Sequence, residues 1–258
     1  MKEKIHISSK VLQHLIKFSG YTENELSEKL KLSDHSKIQH FIDGKDSPTI
    51  AQLNGIAAIL KRPMAIFFID EKEIPPEMPM PTDYRTSRKE RFSPNVLLAK
   101  RKSYYLAQSM KELTDKKSYI PEFGKNISLV KLAYEFRKYL KTPIDETKNK
   151  QPKNLLISYK EVIERKLFIP VIEYPFKSEN IRAFSIHSDI CLIALNEDDM
   201  AAVKLFSLFH EIYHLLKRGD GICSIDFEHQ TQDIETRSNT FSAEFLRFLQ
   251  FYRGYSHL

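Results

Sequence analysis

The sequence predicts an α+β chain in two parts: an all-helical N-terminal domain, then a domain in which helices pack with a small sheet. Three observations predict it. From Ser8 to Phe68 apolar residues recur at helical spacing, broken by short polar turns. Three strand-like runs lie close together between Leu167 and Asn196. After them comes Leu-Phe-His-Glu-Ile-Tyr-His-Leu-Leu, a helical stretch that carries His210, Glu211 and His214.

A chain of 258 residues, 41% hydrophobic and 29% charged, is long enough for more than one core. The expected division is a helical domain over 1–72, a connector over 73–93 and a second domain over 94–258. No apolar run is long enough to span a bilayer, and Met-Lys-Glu-Lys-Ile-His is too polar for a signal peptide, so a cytoplasmic protein with no membrane partner is expected. Cys191 and Cys223 lack C-x-x-C spacing, which indicates neither a disulfide framework nor a cysteine metal site. The net charge is +6, and Arg85 to Lys102 holds seven basic residues against the single acid Glu90. That stretch suits nucleic acid or an acidic partner, and equally a solvated helix face; charge does not decide between them.

In the N-terminal part, Val11, Leu12, Leu15 and Ile16 form the first stripe, which ends at Gly20. Thr22 caps a second helix carrying Leu26 and Leu30. Ser33 is predicted to cap a third, holding Ile38, Phe41 and Ile42, with Gly44 just past its end and Pro48 beyond. Two short helices joined by a brief turn are what a helix-turn-helix requires. The order Tyr-Thr-Glu-Asn-Glu-Leu-Ser-Glu-Lys-Leu, helix, Asp-Gly-Lys-Asp-Ser-Pro-Thr, Gln-Leu-Asn-Gly-Ile-Ala-Ala-Ile-Leu and Pro-Met-Ala-Ile-Phe-Phe resembles the Xre-type helix-turn-helix family. The resemblance implies that the third helix enters the major groove of double-stranded DNA, with Asp34, Ser36, Lys37 and His40 as candidate contacts. Residues 1–70 carry ten Lys or Arg against eight Asp or Glu, a small supply for phosphate binding, and the glutamine that often opens the family's second helix is missing. Specific DNA binding would rest on a homodimer or on the basic stretch, and docking of this domain on protein stays open.

Four prolines between Ile74 and Pro81 exclude a helix interior or central strand and mark the connector. Its Asp83-Tyr84-Arg85 resembles the Asp-Phe-Arg that follows the helix-turn-helix in regulators fused to a zinc peptidase domain. Pro94 to Leu113 reads as a long helix with its basic side exposed, followed by helices over 128–140 and 155–166. Residues 167–174, 181–186 and 191–196 read as strands.

His210, Glu211 and His214 form H-E-x-x-H. One helical turn projects both imidazoles from one face toward one metal, and Glu211 lies beside them, placed to work on water. A catalytic zinc needs a third protein ligand. The longer metzincin signature is absent, because position 220 is Asp. Asp226, Glu228, His229, Asp233, Glu235 and Glu244 remain, and spacing does not select among them. Residues 233–248 read as a second helix, with Glu235 and Asn239 on one face and Glu244 half a turn away from Glu235. Ile234-Glu-Thr-Arg-Ser-Asn-Thr-Phe-Ser-Ala-Glu-Phe-Leu resembles the signature of the ImmA/IrrE zinc peptidase family, as does the strand from Cys191 that ends in Asn196 before the H-E-x-x-H helix. The resemblance implies a zincin-like fold, Zn2+ as cofactor and Glu235 as the third ligand. The stretch from Arg247 to Leu258 departs from the family's pattern of further helices and implies a shortened C-terminal region.

The chemistry expected is peptide hydrolysis, with Glu211 moving the proton and Tyr213, His229 or Arg237 as candidate donors to the oxyanion. The strand over 191–196 either receives an extended substrate on its edge or is a core strand. The resemblance implies a narrow-specificity endopeptidase acting on a repressor-like protein, with the helix-turn-helix as a targeting domain. The rival is a DNA-binding regulator or antitoxin-like protein whose metal domain senses or is inactive. A closed structural zinc site fits less well, since it takes four protein ligands and leaves Glu211 without a task.

Overall fold

The computed structural model describes residues 3–74, 92–124, 126–141, 151–177, 181–218 and 227–250, with side chains throughout except at 218, 227–232 and 248–250. The chain divides into two compact units, Met1–Pro79 with Arg91–Leu98 and Met80–Glu90 with Ala99–Leu258. Most of the proline-rich connector, including Asp83-Tyr84-Arg85, lies outside the described residues, as do Cys223, Asp226 and 251–258. No helix among the described residues is long and apolar enough to cross a membrane.

The first unit contains α1 (Ser9–Lys17), α2 (Glu23–Lys29), α3 (Lys37–Ile42) and α4 (Ile50–Leu60), followed by a 3-10 segment, Met64–Phe68. Ser8, Thr22 and Thr49 each accept a backbone N–H at a helix start, and the last two form full capping boxes with Glu25 and Gln52. Leu12, Leu26, Ile38, Phe41, Leu53, Ile56 and Phe67 fill its core. Gly44 takes φ 69°, the left-handed geometry expected just past α3. The third helix starts later than its sequence suggests. Its N-cap is Ser36, whose side chain makes no capping bond, and Ser33 precedes it by three residues. Asp34 is the reason: its Oδ1 accepts from the Ser36 amide at 2.9 Å and the Ser36 hydroxyl at 2.6 Å, which holds the chain in a turn and delays the helix.

The second unit contains α5 (Pro94–Leu113, its first residues grouped with the first unit), α6 (Leu129–Leu140), α7 (Pro152–Leu167), β1 (Val171–Tyr174), β2 (Ala183–Ile186), β3 (Leu192–Asn196), α8 (Ala201–Arg218) and α9 (Phe227–Gln250). On α5, Lys100 is buried and Leu106 exposed, so its basic side is not uniformly the solvated one. α7 ends at Phe168, whose φ of 53° turns the chain toward β1. The sheet order is β1-β3-β2, with β1 parallel and β2 antiparallel to β3. β3 is therefore central, paired on both sides and buried at all five residues, and cannot receive a substrate strand on its edge. Of the two readings of 191–196 the structure has the core strand; the sequence left both open because an unbroken apolar run reads alike for a core strand and a covered edge. Among the described residues, the strand that packs on α8 with one side unpaired is β2.

α8 packs on β2, β3, α7 and α9, and α9 also packs on α6. The lock between α8 and α9 is aromatic. Phe209 stacks on Phe245 with ring centroids 3.8 Å apart, and Tyr159 of α7 meets Phe209 edge-on at 5.0 Å. Because Phe209 directly precedes His210, this cluster fixes the depth at which α8 presents its histidines to α9.

Candidate metal centre

Two helices build the centre. His210 and His214, one turn apart on α8, are buried, and Glu235 comes to them from α9. The Nε2 atoms of the two imidazoles are 3.0 Å apart. Glu235 Oε2 lies 3.3 Å from His210 Nε2, and its Oε1 lies 3.2 Å from His214 Nε2. Bonds of about 2.0–2.1 Å to a tetrahedral ion put ligand atoms about 3.3 Å apart, so the triangle has the dimensions of three corners of such a site. The three side chains could hold a metal ion.

Protonation agrees with the geometry. His210 Nδ1 lies 3.0 Å from Asn239 Oδ1, an acceptor for an Nδ1–H, and Nε2 faces the centre, the arrangement in which a histidine ligates a metal through Nε2. Ser238 Oγ, 3.2 Å from the same Nδ1, supports that ring. Burial alone would push the Glu235 carboxyl up. The hydrogen bonds and charges of His210 and His214 outweigh it and pull the pKa from 4.5 to about 2, so the carboxylate is anionic at any pH near neutral. The two Nε2 atoms and the Glu235 carboxylate thus converge on a cavity of about 10 Å3, room for one ion or one water, lined also by Ala183, Phe184 and Ser185 of β2.

Glu211 lines the same cavity and is 6% exposed. Its Oε2 accepts a 2.8 Å hydrogen bond from Ser185 Oγ across the α8–β2 contact. One carboxylate oxygen is thereby tethered, and the side chain is directed to the edge of the centre rather than into the ligand triangle.

The matched region coincides with this structure. Residues 164–246 match a peptidase family. It is Peptidase_M78, described as the IrrE N-terminal-like domain, and the match runs from the end of α7 through the sheet and α8 into α9. It covers about a third of the chain and contains every residue of the centre, so the second unit carries a metallopeptidase-like domain, while α1 to α6 lie outside the IrrE-like match. No curated protein and no solved structure matches the chain.

The other sequence candidates fall elsewhere. Asp233 is exposed and sits 3.8 Å from Arg237, while Glu244 pairs with Arg247 at 3.4 Å. Glu228 and His229 lie on α9 but their side chains are outside those described. Tyr213 is buried, and its hydroxyl accepts from Arg237 Nε at 3.1 Å, so these two candidate oxyanion donors engage each other. In the first unit, Asp34, Ser36, Lys37 and His40 cluster at α3, the first two exposed and the others half-buried. The hydrogen bonds from Ser36 hold the Asp34 carboxyl below its ordinary range. Sequence reasoning missed Ser185, the hydroxyl that tethers Glu211; the signal available was its place in a strand-like run just upstream of the motif.

Proposed function

We propose that this chain is a zinc-dependent endopeptidase of narrow specificity that acts on a repressor-like regulatory protein. His210, His214 and Glu235 hold the ion and Glu211 is the general base. The observation that carries this reading is the triangle of ligand atoms at 3.0–3.3 Å with a tethered carboxylate at its rim. A bound zinc supplies Lewis acidity, polarising a carbonyl oxygen and acidifying water. Glu211 takes the water proton on Oε1, since Ser185 occupies Oε2, and passes it to the leaving amine. The open side of β2 is suited to hold an extended substrate by main-chain hydrogen bonds beside the cavity. Residues 1–72 serve as a helix-turn-helix targeting domain in this reading. Asp34, Asp43 and Asp46 lie around α3, and Lys4 and Lys45 are paired with the last two, which leaves few unpaired cations there for DNA phosphates and supports a protein partner.

The test combines metal analysis with substitution. One zinc per chain is expected, strongly reduced by Glu235→Ala and retained in Glu244→Ala; the reverse ranking sinks the ligand assignment. Glu211→Gln should keep zinc and fold while hydrolysis of a partner co-expressed from the neighbouring genes falls by about 100-fold or more. A fragment that forms equally with Glu211→Gln would belong to another protease.

A further inference from the structure

Beside the ligand triangle opens a groove of about 570 Å3. Ala202, Val203 and Phe206 of α8 line it, with Arg182 just before β2 and Glu235 and Asn239 on α9. Glu235 borders both this groove and the cavity at the metal centre. Their walls run together: from Glu211 back to Ala202 is about 13 Å along α8, and from Ser185 back to Arg182 is about 10 Å along β2. That is the reach of about three residues of extended peptide leaving the centre. The α8 wall is apolar. Arg182, at the far end, is already paired with Asp199 at 2.8 Å. Ser207 also lines the groove; it is 1% exposed, and its Oγ has no hydrogen-bond partner among the described residues. A buried hydroxyl left unmade on the groove wall is an open place for a ligand acceptor.

We propose that this groove is a substrate subsite of the peptidase, taking a large aliphatic side chain such as leucine next to the scissile bond, with the Ser207 hydroxyl donating to the bound segment. The inference rests on the peptidase reading and deepens it. Acidic side chains are disfavoured, since they would lose water against Val203 and Phe206 without gaining a free counter-ion: the Arg182 charge is taken by Asp199, and Glu235 repels acids.

The test reads binding rather than turnover. Zinc-loaded full-length protein is titrated by calorimetry with the hydroxamates of leucine, glycine and aspartate, with zinc content measured in parallel. Leucine hydroxamate should bind about ten-fold or more tighter than the other two. Ala202→Trp, at an exposed position, should obstruct the groove, and Val203→Asp should place a charge in it. Both should bring leucine within about two-fold of glycine while zinc content stays at the wild-type level. Equal binding of leucine and glycine by the wild type overturns the proposal, as does a leucine preference that survives both substitutions. If none of the hydroxamates binds protein shown to contain zinc, the peptidase reading itself fails and the subsite falls with it.

Discussion

Asn239 does not reach the ligand triangle, yet it decides which nitrogen of His210 faces the ion. By accepting from Nδ1 it fixes both tautomer and ring orientation, an outer hydrogen bond whose loss typically costs 10- to 100-fold in metal affinity. Asn239→Ala should therefore weaken zinc binding by about 1.4–2.7 kcal/mol, whereas Asn239→Asp, which keeps the acceptor, should not weaken it. Competition against a chromophoric chelator measures both, and an Asn239→Ala protein that holds zinc as tightly as wild type would remove Asn239 from this role. At this scale the sequence was most legible where function is local. His210, Glu211 and His214 lie within five residues, so helix periodicity alone puts them together. Glu235 required the family resemblance, since the spacing of Asp233, Glu235 and Glu244 does not say which carboxylate turns toward α8. The Ser185 contact to Glu211 spans 26 residues and depends on how β2 lies across α8, which no local pattern encodes.

Between elements, the position of α8 depends on apolar stacking on one side and on a charged clasp on the other. Glu173 of β1 receives Lys160 of α7 at 2.9 Å and Lys204 of α8 at 2.7 Å, tying three elements through one partly buried carboxylate. Burial alone would raise its pKa; the hydrogen bonds and charges of Lys204 and Lys160 outweigh that and lower it below 4.5. A carboxyl depressed in the folded state contributes stability that is fully present above its unfolded value and is lost as pH falls through the folded one. Glu173→Gln should thus cost about 1 kcal/mol near neutral pH, and the gap to wild type should close below the ordinary value of 4.5. Urea unfolding at a series of pH values tests this; a gap that is constant into acid would mean that the lysines contribute packing and not charge. Helix existence was legible from stripes and caps, as at Thr22, whose side chain does cap α2. Helix onset at α3 was not, because Asp34 competes for the backbone that Ser33 would have capped, and strand order was not, because periodicity carries no information about neighbours.

For the molecule as a whole, the centre joins helices distant in sequence, but all three proposed ligands lie in one of its two compact units. An ion that binds the assembled triangle and not the unfolded chain stabilises that unit by mass action, by about 2.7 kcal/mol at a free concentration 100 times its dissociation constant. The first unit has its own core, built around Leu12, Leu26, Phe41, Leu53 and Phe67, and supplies no ligand among its described residues. Heating full-length protein with and without zinc should therefore move chiefly the transition of the second unit, while the helical signal of the first melts at nearly the same temperature in both conditions. Glu235→Ala should abolish the shift, since its loss removes the anionic corner of the triangle and the only ligand that α9 contributes among the described residues. Glu211→Gln should leave the shift intact, because that side chain is tethered to Ser185 at the rim and stabilises no bound ion. A zinc-dependent shift that persists in Glu235→Ala would place the ion elsewhere on the chain, and one that vanishes in Glu211→Gln would make that carboxylate a ligand instead of a base.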